Sequence, residues 1–204
     1  YTTPTVLTQN GHERIFVWGA DHLTAHDAIT GETLWVCDGF NPDNKEQWRS
    51  IASASVWNEI AVVCFGRGRN LCAVDLRDTI EPTKRFLWKR QGLGADVPTP
   101  VTHDGKAYLL EDGGKLYCID IRTGKTLWTS TAPRGKGRFY ASPILAGSRL
   151  YCASDRGIIV SGSADRSFSG ATTNKMNEPI ISTPIAVDNR LFVRGAKHLF
   201  CLGN

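Results

Sequence analysis

Several residue groups in this chain carry types that could do chemistry, and each can be weighed on spacing. His22 and His26 stand four apart, as a helical zinc pair would. On a strand, four residues span about 13 Å, beyond what one ion bridges. Gly124-Lys125-Thr126 matches the end of a phosphate loop, but that loop needs glycine where Ile119 stands. Gly66-x-Gly68, Gly92-x-Gly94 and Gly135-x-Gly137 lack the third glycine of a dinucleotide fingerprint, and no G-x-S-x-G elbow or N-x-[ST] sequon occurs. Glu111-Asp112 precedes Gly113-Gly114 and reads as a hairpin turn rather than a catalytic carboxylate pair. The six cysteines, Cys37, Cys64, Cys72, Cys118, Cys152 and Cys201, form no C-x-x-C pair and fall mostly inside apolar runs, so they read as buried, reduced thiols. None of these groups makes a catalytic constellation.

Composition narrows the function classes. The 204 residues hold 24 Lys and Arg against 20 Asp and Glu, a net charge of +4. The charges are scattered through turns, whereas a nucleic-acid binder concentrates them on one face, so no nucleic-acid partner is expected. Hydrophobic residues at 41% support a packed core, and no apolar run approaches the roughly 18 residues of a membrane-spanning helix. The first residue is Tyr1, so a processed product or an excised piece is expected.

The chain repeats itself. Ala25-His26-Asp27-Ala28-Ile29-Thr30-Gly31-Glu32-Thr33-Leu34-Trp35 recurs as Cys118-Ile119-Asp120-Ile121-Arg122-Thr123-Gly124-Lys125-Thr126-Leu127-Trp128. A stretched copy runs from Asp75 to Trp88, 13 positions where the others have 8, and a worn copy after Ile158-Ile159-Val160 ends at Phe168 without tryptophan. Pro4, Pro100, Pro143 and Pro184 each open a short apolar segment, and Ala54 takes that place in the second repeat. Segments of β-branched and aromatic residues, separated by Gly and Asp turns, predict four short strands per repeat, A to D. Strand D is expected to end on the tryptophan, and helical periodicity is nowhere sustained.

The pattern Ala-x-Asp-x-x-Thr-Gly-x-x-x-Trp resembles the tryptophan-docking motif of the quinoprotein-like (PQQ-type, BamB-like) β-propeller repeat family. Asp27, Gly31, Trp35, Trp88, Asp120, Gly124 and Trp128 carry it here. The resemblance implies an all-β, WD40-like propeller of four-stranded antiparallel blades. About five blades are expected, over 1–38, 39–89, 90–129, 130–169 and 170–204, with the last lacking strand D at Asn204. The resemblance also implies seven or eight blades in a whole propeller, so either a part of a larger ring or an unusually small closed ring is open, the first being favoured. Open blade edges would favour self-association.

Function divides two ways under that resemblance. Quinone-dependent dehydrogenases of this family hold their cofactor against a disulfide between adjacent cysteines, with a calcium ion beside it. No two cysteines are adjacent here. A non-enzymatic binding or scaffold propeller is therefore expected, with PQQ and calcium absent, and with an exported or periplasmic bacterial location by resemblance alone. The alternative is a quinone-dependent dehydrogenase whose site lies on further blades. Arginines and aromatics on the D–A and B–C loops are the candidate surface for a protein partner or small ligand: Trp48, Arg49, Arg67, Arg69, Arg138, Tyr140 and Arg156, with Arg134, Lys136 and Asp155 beside them.

Overall fold

The computed structural model describes residues 1–19 and 21–203; Asn204, where the fifth expected blade ends, lies outside the described residues. Its described residues form nineteen strands in five antiparallel sheets and a single short 3-10 turn, Pro82–Lys84. The first sheet is β1 (Thr5–Gln9), β2 (His12–Gly19), β3 (His22–Asp27) and β4 (Thr33–Cys37); the second is β5 (Ser55–Trp57), β6 (Ile60–Phe65), β7 (Asn70–Asp75) and β8 (Phe86–Gln91). The third is β9 (Val101–His103), β10 (Lys106–Leu110), β11 (Lys115–Asp120) and β12 (Thr126–Thr131). The fourth is β13 (Ile144–Ala146), β14 (Arg149–Ala153), β15 (Ile158–Ser163) and β16 (Thr172–Lys175), and the fifth has three strands, β17 (Ile185–Val187), β18 (Arg190–Arg194) and β19 (Leu199–Leu202). In every sheet sequential strands are neighbours, the meander of a propeller blade.

The chain forms two compact units. One comprises Tyr1–Asp96, Thr102–Gly105 and Asp120–Lys125, and the other comprises Val97–Val101, Lys106–Ile119 and Thr126–Asn204. In the first, Phe16, Trp18, Leu23, Phe40, Val63, Phe65 and Val74 build the core. In the second, Tyr108, Leu116, Phe139, Val160 and Phe168 form one cluster, and Ala153, Ile159, Ile180 and Val193 another. Consecutive residues of β6, β7, β10 and β11 are buried, so those strands are covered on both faces. Strands β8 and β12 instead alternate half-buried with exposed, as outer strands do.

Two sequence expectations shift. Strand D does not end on the tryptophan: β4, β8 and β12 run on to Cys37, Gln91 and Thr131. A bulge lies beside each tryptophan pair, Ala25↔Trp35, Ala73↔Trp88 and Cys118↔Trp128. The extra residues, Leu34, Leu87 and Leu127, are left pointing outward at 38%, 41% and 48% exposure. In the fourth sheet the last strand begins at Thr172, beyond Phe168 and beyond the expected blade end at 169. Phe168 sits instead in a turn, at φ 60°, with its ring in the core.

The residue before each strand-A opening makes a contact that the sequence pattern did not disclose. Thr3 donates its N–H to the Ser53 hydroxyl (2.9 Å), Thr99 to Ser142 (2.9 Å) and Ser142 to Thr183 (3.0 Å). Proline restricts the residue before it to extended backbone, which turns that N–H sideways toward the next hydroxyl.

The C–D turns are built on carboxylates. Asp27 Oδ1 accepts the N–H groups of Ile29 and Thr30 at 2.9 Å, and Asp120 Oδ1 accepts the Thr123 N–H at 2.8 Å and its hydroxyl at 2.7 Å. These bonds favour the ionised form and hold both carboxyls below the usual value of 3.8. Burial by itself raises Asp75, but the Arg77 side chain and N–H more than offset that and hold it low. Gly31 and Gly124 close the turns at φ 74° and 71°.

Each D-strand tryptophan finds a different seat. The Trp88 indole donates to the Ile121 carbonyl at 2.7 Å and lies flat on Gly124, where an added Cβ would stand 2.6 Å from the ring. Trp128 donates to the Ala164 carbonyl at 3.1 Å. Trp35 is seated on an arginine: the fully buried Arg85 stacks its guanidinium 3.6 Å from the ring centroid and donates to the carbonyls of Asp75 and Arg77. Leu76 O, the counterpart of Ile121 O, takes the Gln9 amide instead, and the Trp35 N–H has no acceptor among the described residues. The stretched turn thus replaces a glycine seat by a cation–π seat.

Two outcomes follow from these turns. Gly31→Ala meets only backbone strain, since nothing lies within 4 Å, and is expected to cost about 1–2 kcal/mol. Gly124→Ala must also unseat Trp88 and should cost about 3–5 kcal/mol in urea titration; equal losses would show that the indole seat contributes nothing. For the carboxylates the folded value lies below the unfolded one, so their stabilisation is present above about pH 4 and lost as pH falls through the folded values. The urea midpoint should therefore drop as pH falls below about 4, and Asp120→Asn should flatten that drop.

Candidate functional site

In the first unit the loop after β4 is held at both ends. Phe40 is fully buried and packs on Trp18, Phe65 and Phe86 at centroid distances of 4.5, 5.4 and 5.0 Å. Trp48 donates its indole N–H to the Phe40 carbonyl at 2.7 Å. Its ring covers Gly66, where an added Cβ would stand 2.3 Å away. Trp48, named above as a candidate surface residue, is half-buried and fastens the loop onto the β6–β7 hairpin. Its neighbour Arg49 is exposed but paired with the Asp96 carboxylate at 2.6 Å. Arg67 and Arg69 stand exposed on that hairpin, Arg67 in the left-handed region at φ 58°. Gly68 there approaches the backbone of Ala95 and Asp96 so closely that a side chain would collide.

In the second unit the corresponding loop is stapled by an aspartate. Arg138 donates its N–H to Asp155 Oδ1 at 2.8 Å, and the Asp155 N–H returns a bond to the Arg138 carbonyl at 2.9 Å. Arg134 spends its guanidinium on the Gly137 carbonyl at 2.6 Å, within its own loop. Arg138 and Arg156 remain exposed and Tyr140 is half-buried. The guanidinium groups of Arg67, Arg69, Arg138 and Arg156 have no hydrogen-bond or ion-pair partner among the described residues. The structure thus gathers Trp48, Arg49, Arg67 and Arg69 in one unit, and Arg138, Tyr140 and Arg156 in the other.

The remaining reactive types are spent locally. His22 pairs with Asp38 at 2.9 Å, and His26 lies between the hydroxyls of Thr24 and Thr33 at 2.8 and 3.1 Å. All six cysteines are free; five are buried and Cys201 is exposed, which corrects the expectation for that one. Burial pushes the Cys37 thiol up to about 11 and Cys152 to about 12, so both stay protonated and unreactive. Among the described residues no three His, Cys, Asp or Glu side chains are placed to hold a metal ion.

A cleft of about 410 Å³ in the first unit, not evident from the residue pattern, is lined by Trp57, Glu59, Asp75, Arg77, Leu87 and Arg122. Arg122 lies 5.8 Å from the Trp57 ring centroid. Its walls come from the A–B and C–D turns, and the one signal available was Trp57 standing at the end of an A strand.

Residues 79–174 match the family model described as outer membrane protein assembly factor BamB. No curated protein is significantly similar to the chain. Among solved structures, BamB from Moraxella catarrhalis superposes with a TM-score of 0.68 at 16% identity, over 99% of this chain and 59% of that one. The quinohemoprotein alcohol dehydrogenase from Comamonas testosteroni gives 0.68 at 13% identity, over 99% and 41%. Raptor from Chaetomium thermophilum gives 0.75 at 13% identity, over 100% and 19%. The chain thus spans less than two thirds of these longer chains, and identities this low speak for the fold. Antiparallel meander sheets and these superpositions make this chain a β-propeller, and over residues 79–174 it is similar to the repeats described by the BamB family model.

Proposed function

We propose that this chain is a non-enzymatic binding or scaffold propeller that contacts an acidic protein surface or ligand through its loop arginines. The observation that carries this reading is the state of Arg67, Arg69, Arg138 and Arg156. Each is exposed on a tight, internally bonded loop, and each guanidinium has no partner among the described residues, leaving it available to an outside carboxylate. A fixed backbone lowers the ordering cost of such a contact, and arginine forks are suited to paired bonds with carboxylates. The match of residues 79–174 to a model described as an outer membrane assembly factor supports an exported, periplasmic setting for this binding. No helix among the described residues is long and apolar enough to cross a membrane.

The competing reading is a quinone-dependent dehydrogenase, prompted by the likeness to the Comamonas testosteroni enzyme. Adding pyrroloquinoline quinone with calcium should leave the melting temperature of this chain unchanged and produce no dye-linked alcohol oxidation. A shift of several degrees, or turnover, would overturn the scaffold reading. In a direct assay, a fluorophore-labelled hexaglutamate peptide should bind, and Arg67→Glu with Arg69→Glu should weaken it about tenfold, as should Arg138→Glu with Arg156→Glu. Unchanged binding in both double variants would remove these arginines from the site.

A further inference from the structure

In the second unit a groove of about 720 Å³ opens between the fourth and fifth sheets. Strand register explains why it is there. β11 and β15 are both six residues long, and the carbonyl-to-amide bond that follows each is the same: Ile121 N–H to Gly105 O, and Ala164 N–H to Ser148 O. Ser161 therefore stands where Cys118 stands in the third sheet. Cys118 pairs with Trp128, and Ser161 pairs with Thr172. Thr172 thus occupies the tryptophan position of its repeat, and the indole that fills the outer end of the sheet face elsewhere is missing here.

The partner of that indole is still present. In the first sheet Phe16 lies 5.8 Å from Trp35, and in the third Tyr108 lies 6.0 Å from Trp128, both tilted. The same place in the fourth sheet belongs to Tyr151, as the pairs Phe16↔Ala25 and Tyr151↔Ser161 show. Tyr151 lines the groove with Leu145 and Ile159 on one side and Val187, Leu191 and Leu202 on the other. Val187 and Leu202 are left 48% and 36% exposed, the cost of an apolar rim without cover. The groove does not close by shifting β16. Arg149 donates to the Ser161 carbonyl and hydroxyl at 3.0 Å and to the Gly170 carbonyl at 3.1 Å, and Ser161 shares a 3.0 Å bond with Thr172.

We propose that this groove is a recognition slot for a tryptophan side chain presented by a partner protein. The slot offers an aromatic wall, aliphatic sides and polar groups at Asn174 and Asn189, the mixture that an indole with its single N–H requires. Its volume lies within the range of about 300–1,000 Å³ usual for a ligand pocket. The occupant is argued from the repeat itself: the chain seats three indoles of its own at equivalent positions and withholds the fourth. The slot is separate from the loop arginines, so either proposal stands or falls without the other.

The test uses this chain with 5-fluoroindole as probe, followed by fluorine NMR, and N-acetyl-tryptophanamide as competitor. The probe signal should broaden and shift at about millimolar concentration, and the competitor should reverse it. Thr172→Trp restores the indole in cis, so it should abolish the effect and raise Tm by about 2–4 °C. Val187→Glu, on the exposed rim, should weaken probe binding about tenfold with Tm unchanged, and it decides the matter where Thr172→Trp fails to fold. Arg67→Glu with Arg69→Glu should leave the probe signal as in the unmodified chain. Absence of probe binding to the unmodified chain, or equal binding to the Val187→Glu variant, overturns the proposal.

Discussion

A sheet with apolar residues on both faces cannot stand alone in water, and most of what this chain does locally answers that constraint. Strands such as β6 and β11 bury consecutive residues, so each needs neighbours on two sides. Cover is thinnest on the last strands, where β8 and β12 alternate half-buried with exposed residues. The D-strand tryptophans sit on those strands. A large flat ring with one polar atom supplies apolar cover and anchors to a turn carbonyl, as Trp88 does on Ile121 and Trp128 on Ala164.

The seats show how one requirement is met by different chemistry. Gly124 offers Trp88 bare backbone, while Arg85 offers Trp35 a buried cation. The second solution is the more exacting, because a buried guanidinium must have its donors satisfied. Two backbone carbonyls accept from it, burial holds its pKa below the usual value, and its Nε has no acceptor among the described residues. The insertion after Asp75 is what brings Arg85 within reach of Trp35. Where the tryptophan is replaced by Thr172, no side chain takes over, and the groove remains.

The loops obey a second economy. Trp48, Arg134 and Asp155 spend their polar atoms on holding the loops in shape. Arg67, Arg69, Arg138 and Arg156 are left exposed on hydrogen-bonded loops. This division of labour was only half visible in the residue order, because Trp48 and Arg49 look as available as Arg67 and Arg69 until Phe40 and Asp96 are placed beside them.

Local chemistry made much of the fold legible from residues alone. The Asp-x-x-Thr-Gly turns, the prolines that open four of the five A strands and the short β-branched and aromatic segments are short-range features, set by hydrogen bonds and dihedral limits within a few residues. The short strands of each repeat followed from them, and the propeller class from the family resemblance that the turn motif carries. The stretched turn and the worn fourth copy were readable as departures, but not their consequences. Which atom seats Trp35, where the fourth sheet resumes at Thr172, and that Ser161 is the counterpart of Cys118 all depend on strand pairing between residues ten or more apart. So did the hydroxyl chain through Ser53, Ser142 and Thr183, whose members lie about forty or more positions from their partners. Sequence alone determined the repeat, because its turns are local; only tertiary structure decided which side chains are spent, which stay free and which slot is left open, because those outcomes rest on contacts between repeats.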